Sequence, residues 1–191
     1  MNVFVLDLDP EKCAEYHCNK HLVKMITEHN QILGSIAYTA RGINRKKEIT
    51  PQFVNFHFKD FPRKHADGSP NPYGIGYVNH PCTKWAAASE FNYDWLCRLN
   101  ILMCKEYTLR YKKVHAGQAI TEWYMKNFPI NVPAVPMTKF PQAMPEDCKN
   151  EDTVTAYRNY YIKHKAQFAK WPADRVPHWW PNPTENETKT V

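Results

Sequence analysis

Apolar positions in the first forty residues recur at helical spacing: Leu22, Met25 and Ile26, His29, Ile32 and Leu33, Ile36 and Ala40 fall on one stripe. Upstream, Asp9-Pro10-Glu11 has the chemistry of a helix start, with an acceptor at the cap, proline at the first turn and an acid behind it. The pattern predicts one helix from residue 10 to about 40, stopping near Gly42. A second stripe, through Trp85, Ala88, Asn92, Trp95 and Leu96, Leu99, Met103 and Tyr107, predicts a helix from 81 to about 113. A shorter helix fits 118–127, and a last one runs from 150 to about 171 with Glu151 and Asp152 behind its cap.

The remainder is irregular. Residues 2–6 read as a short extended segment. The connection 43–79 carries Arg45-Lys46-Lys47, an aromatic run from Gln52 to Phe58 that reads as a short strand, and turn signals at Asp67-Gly68 and Asn71-Pro72. Pro129, Pro133, Pro136, Pro141 and Pro145 break any regular element across 128–150. The expected fold is mostly α: a compact single-domain bundle of about four helices over 1–180, with a flexible polar tail over 181–191.

The first helix also carries a polar ridge. At about 100° per residue, His17, His21, Lys24, Glu28, Gln31 and Ser35 share a narrow sector beside the apolar stripe. Two imidazoles and a carboxylate at the margin of a core can perform acid–base chemistry, and they can equally be a polar flank. The same helix offers a rival metal set. Cys13, His17 and His21 stand four residues apart, and His80-Pro81-Cys82 could add a ligand. On the last helix, tyrosines alternate with cations. Tyr157 and Tyr161 belong to a core stripe, which leaves Arg158, Tyr160, Lys163 and Lys165 outward for phosphates and bases.

Composition narrows the partner. Lys and Arg number 25 against 19 acids, a formal charge of +6, and aromatic residues make up 14% of the 191-residue chain. A basic, aromatic-rich surface favours a polyanion. No apolar run approaches the roughly 20 residues of a membrane span, and the start lacks the basic flank of a signal peptide. The expected location is therefore the cytoplasm, with the six cysteines reduced. No phosphate-binding loop, dinucleotide loop or nucleophile elbow is present.

The run His21-Leu22-Val23-Lys24-Met25-Ile26-Thr27-Glu28 resembles the catalytic helix of the pyrimidine dimer DNA glycosylases of the bacteriophage T4 endonuclease V type. In that family, as here, a histidine precedes a glutamate by seven positions. Gly76-Tyr77-Val78-Asn79-His80-Pro81 followed by Tyr93-Asp94-Trp95-Leu96 resembles the family's second helix and its lead-in, and 157–165 its aromatic–basic segment. The order agrees along most of the chain.

The resemblance implies removal of a damaged or modified pyrimidine from double-stranded DNA by a bacterial or phage monomer, with AP-lyase activity and without metal or cofactor. The implied nucleophile is the chain's own α-amine, which titrates at roughly 8 and is partly neutral at physiological pH. Asn2 is large, so Met1 is expected to stay and carry that amine, which places Met1, Asn2, His21 and Glu28 in the catalytic set. Glu28 would stabilise the sugar cation and shuttle protons, and His21 would position sugar or phosphate. His17, Lys24, Gln31 and His80, with Arg158, Tyr160, Lys163 and Lys165, would bind substrate. Thr27 and Gln31 stand where the family has phosphate-gripping arginines, which points to a lesion other than a cyclobutane dimer. The rival classes are a nucleic-acid-binding module without chemistry, a metal-dependent nuclease using His17, His21 and His80, and a phage effector that binds a host protein.

Overall fold

A computed structural model describes residues 1–129 and 131–181. Among these, seven α-helices are present: α1 (Pro10–Tyr16), α2 (Asn19–Thr39), α3 (Pro51–His57), α4 (Pro81–Ala87), α5 (Glu90–Tyr111), α6 (Gly117–Lys126) and α7 (Thr153–His164). The class is all-α, and an isolated bridge between Lys64 and Pro70 replaces any sheet among the described residues. The central helix, α5, packs against α1, α2, α4 and α6, while α2 also packs on α4 and α6. The expected apolar stripe of α2 is buried from Leu22 through Ile36. The polar tail lies outside the described residues from 182 onward.

Four expectations are corrected. The first predicted helix is two helices, because His17 and Cys18 are both extended and end α1 before α2 begins. The carbonyls freed by this break find one partner in Arg110 of α5. Its guanidinium donates to Glu15 O at 2.8 Å, His17 O at 2.9 Å and Asn19 Oδ1 at 3.0 Å, and pairs with Glu106 at 2.7 Å. Secondly, the 81–113 helix divides at Ser89, whose hydroxyl accepts from Phe91 N and caps α5. Thirdly, the aromatic run is helical. Thr50 caps it and Pro51 opens it, so the capping chemistry overrides the strand preference of the aromatics. Phe58, just past its end, is buried against Tyr38 and Trp123. The last helix is also shorter than expected, running from the cap Asp152 to His164.

The helix interfaces are held by a buried polar network. Asn30 Nδ2 donates to Gly117 O at 2.9 Å, and Asn100 Nδ2 donates to Thr121 Oγ1 at 2.8 Å and Ile26 O at 3.2 Å. Gly117 is required by closeness: a Cβ there would meet Ile26 Cγ2 at 2.7 Å and Asn30 Nδ2 at 2.9 Å.

The N-terminal segment, expected to be extended, pairs with no strand among the described residues and bends at Leu6, whose N–H donates to Phe4 O at 3.2 Å. Val3, Phe4, Val5 and Leu6 are buried, so the backbone also takes partners from side chains. Cys13 Sγ donates to Phe4 O at 3.2 Å and accepts from Leu6 N at 3.3 Å. Arg158 Nε donates to Leu6 O at 3.0 Å, and Trp95 Nε1 to Leu8 O at 3.1 Å.

Replacing Arg110 by alanine orphans the carbonyls at the α1–α2 break and leaves the buried Glu106 only the longer 3.6 Å approach of Arg175. Chemical denaturation should show a loss of about 3–5 kcal/mol, the range for breaking a buried ion pair. A loss below about 1 kcal/mol would mean that water replaces the guanidinium at the break.

Candidate active site

Burial of residues 2–6 delivers the α-amine of Met1 to Glu28. The amine nitrogen lies 3.4 Å from Glu28 Oε2, and Lys24 Nζ lies 3.1 Å from Glu28 Oε1. The Glu28 side chain is 14% exposed and Lys24 is 64% exposed, so one ammonium meets the carboxylate from the interior and the other from solvent. His80 completes the group from the N-terminus of α4. Its Nδ1 accepts from Cys82 N at 3.2 Å, which leaves the neutral ring's proton on Nε2. Burial and the positive α-amine hold this imidazole below its usual range, while Glu28 pulls the other way. His80 therefore shares the electrostatic field of the amine and Glu28.

Asn2 fixes the amine's backbone rather than presenting a reactive group. It is 8% exposed. Its Oδ1 accepts from Val3 N at 2.8 Å, Tyr157 OH at 3.1 Å and Cys82 Sγ at 3.4 Å, and its Nδ2 donates to Ala143 O at 2.9 Å.

His21 occupies an aromatic box. Its ring stacks on Phe4 at 4.5 Å between centroids and meets Tyr161 and Phe168 edge-on, and its Nδ1 shares a 2.5 Å hydrogen bond with Tyr161 OH. His17 is not on the ridge with Glu28. It is the C-cap of α1, fully buried, with Nδ1 2.7 Å from Cys13 O. Gln31 is half-buried one turn beyond Glu28 on α2.

Of the set expected outward on α7, Lys163 is exposed and Arg158 is corrected. Arg158 is bound inward, to Leu6 O and to Asp7 Oδ2 at 3.2 Å, because the buried N-terminal segment needs a donor there. Lys163 bonds the backbone and carboxylate of Asp147. Tyr160 is half-buried against Phe4, and Lys165 lies over its ring at 4.4 Å with Nζ 3.2 Å from its hydroxyl. Lys165 and Lys20, which lies over Phe168 at 4.7 Å, leave cationic heads along the edge of the His21 box. Tyr157 and Tyr161 are buried as expected.

The rival metal set is not assembled: the Cys13 thiol serves the N-terminal backbone, and the rings of His17 and His21 bond Cys13 O and Tyr161. Among the described residues, metal-like donor spacing occurs at Asp147, Cys148 and His164, which share no member with that set.

The sequence model of the family described as pyrimidine dimer DNA glycosylase matches residues 1–117. The chain belongs to that family. Its substrate class is therefore DNA, and the match covers every element that carries Met1, Lys24, Glu28 and His80. No curated protein and no solved structure matches the chain. Among the described residues, no helix is long and apolar enough to cross a membrane.

Sequence reasoning missed the clamps around this site. Phe4, Tyr161 and Phe168 hold His21, and Asn100 Oδ1 faces the buried His29 at 3.0 Å. Asn100 spends its amide hydrogens on Ile26 O and Thr121, so His29 must carry its proton on Nδ1. Removal from water pushes His17 and His21 down to about 3 and His29 to about 4.

These histidines set a pH dependence. The unfolded chain binds their protons below about 6.5, whereas the fold resists them, so the stability they contribute is complete at neutral pH and lost as pH falls toward their folded values. Urea titrations should show stability dropping between about pH 6.5 and 4, with a slope of up to about 1.4 kcal/mol per pH unit for each histidine. Flat stability from pH 7 to 5 would contradict this.

Proposed function

We propose that the enzyme is a DNA glycosylase with AP-lyase activity whose nucleophile is the α-amine of Met1. The observation that carries the reading is the 3.4 Å pairing of that amine with Glu28, in a family that acts on DNA. Glu28 accepts a proton from the ammonium, and the neutral amine attacks C1′ of the target nucleotide. The N–C1′ bond forms as the glycosidic bond breaks and the base departs with its electron pair. Loss of the sugar ring oxygen's bond to C1′ yields the imine. Removal of a C2′ proton then expels the 3′-phosphate by β-elimination. Glu28 also lies where it can stabilise positive charge developing on the sugar.

The other residues have supporting tasks. His80 offers its Nε2 proton beside the amine, and Lys24 gives an exposed cation for the backbone phosphates. Asn2 positions the amine through its four hydrogen bonds. His21 acts through Phe4, holding the N-terminal segment against α2. The substrate is a duplex carrying a damaged or modified pyrimidine, extruded from the stack before attack at a cost that is lower at a lesion. Thr27 and Gln31, neither of them cationic, favour a lesion other than a cyclobutane dimer.

Borohydride reduction tests the mechanism. Protein mixed with an abasic duplex and reduced should give a covalent complex on a denaturing gel, and mass spectrometry should place the adduct on the Met1 nitrogen. Glu28→Gln should lower base excision by at least about 100-fold, the lower range for loss of a general acid–base group. Acetylation of the α-amine should abolish trapping. Binding without any trapped complex would leave a DNA-binding module in place of the enzyme.

A second variant separates position from chemistry. Asn2→Ala keeps the amine but removes its anchor, and should lower kcat by about 10-fold or more, as expected when a reacting group is displaced by about 1 Å. An unchanged kcat would show that the backbone alone holds the nucleophile.

A further inference from the structure

Among the described residues, two non-glycine positions lie in the left-handed region, Tyr77 and Lys112, each with φ 54°. Lys112 is the C-cap of α5, where such a conformation is common. Tyr77 ends no helix. It begins the turn that leads to His80, and its carbonyl accepts from His80 N at 2.9 Å. Just before it, Gly76 is fixed to α2: Ser35 Oγ donates to Gly76 O at 2.6 Å and accepts from Gly76 N at 3.1 Å. Ser35 stands seven residues beyond Glu28 on the same helix, about 10 Å along its axis.

The loop is thus fastened on both sides, to the helix that carries Glu28 and to His80, which feels the charges of the α-amine and Glu28. Between these fastenings, Tyr77 is 68% exposed. A bulky residue held in a strained conformation ordinarily has its cost offset by packing. Here the side chain gains little packing, and the arrangement presents an aromatic plate to solvent three residues before His80.

We propose that Tyr77 is the wedge of this enzyme: its ring enters the base stack beside the target and occupies the stacking area that the extruded nucleotide vacates. This rests on the reading of Met1 and Glu28 as the reactive pair. Extrusion unstacks a nucleotide from its neighbours, and an aromatic face can restore part of that stacking with any base sequence. The fastened backbone fixes where the side chain leaves the loop before DNA arrives, so binding has only the ring's own rotamers to order. The role belongs to duplex opening, not to bond making.

The test uses two DNA probes and three variants of the full chain. The first probe is a duplex with 2-aminopurine next to a tetrahydrofuran abasic analogue, and the second is a true abasic site in double-stranded or single-stranded form. Tyr77→Ala should lose most of the 2-aminopurine signal change on binding and slow borohydride trapping on the duplex by about 10-fold or more, while trapping on the single strand stays within about 2-fold. Tyr77→Phe should keep both responses, since the ring is retained. Tyr77→Gly accepts the left-handed backbone without strain, so it should fold and behave like the alanine variant.

An unchanged 2-aminopurine response in Tyr77→Ala and Tyr77→Gly would overturn the proposal, as would equal losses on both forms of DNA. If the unaltered enzyme traps on neither form, the amine mechanism fails, and the fluorescence response alone then decides the wedge.

Discussion

The structure depends on threading a non-helical segment through a helical core. Residues 2–6 have no strand beside them among the described residues, yet they are buried among α1, α2, α4 and α7. Buried backbone without a partner is costly, and several groups of the segment have drawn a side chain toward them. Cys13 and Arg158 serve the backbone of Phe4 and Leu6, and Asn2 folds its own side chain back onto Val3 N. Cysteine and arginine, which could have been read as reactive or phosphate-binding, are structural for this reason. The result is a chain end that has little freedom to move.

That constraint shapes the electrostatics. A chain terminus is normally solvated and mobile, and its charge is screened. Here it is held against a carboxylate that is itself mostly enclosed, with a second ammonium on the solvent side. Around this pair, the fold keeps imidazoles neutral by burying them, which prevents a concentration of positive charge in the interior. The cations placed to meet a phosphate backbone lie at the rim, Lys20 and Lys24 exposed and Lys165 half-buried among them.

Much of the helical plan was legible because stripes of 3.6-residue period determine which face of α2 and α5 is buried. The breaks were less so. Thr50-Pro51 and Ser89-Glu90 are local capping signals that were present in the chain but outweighed by aromatic and apolar runs. The break at His17 had no local signal, since its partner Arg110 lies far along the sequence. The same distinction applies to the site. The ridge of α2 placed Lys24 beside Glu28, and the resemblance supplied the α-amine. His80 joins them through tertiary packing that periodicity does not encode. Arg158 was assigned outward from helical geometry, which has no means of detecting a buried carbonyl such as Leu6 O.

The anchors of the reactive end come largely from beyond the family match. Ala143, Tyr157 and Arg158 hold Asn2 and Leu6, while the match ends at residue 117. Substitution in the C-terminal third therefore reaches the position of the α-amine and its distance from Glu28 without touching either group. If that amine is the nucleophile, the frame that aims it and the pair that reacts are separate targets of mutation.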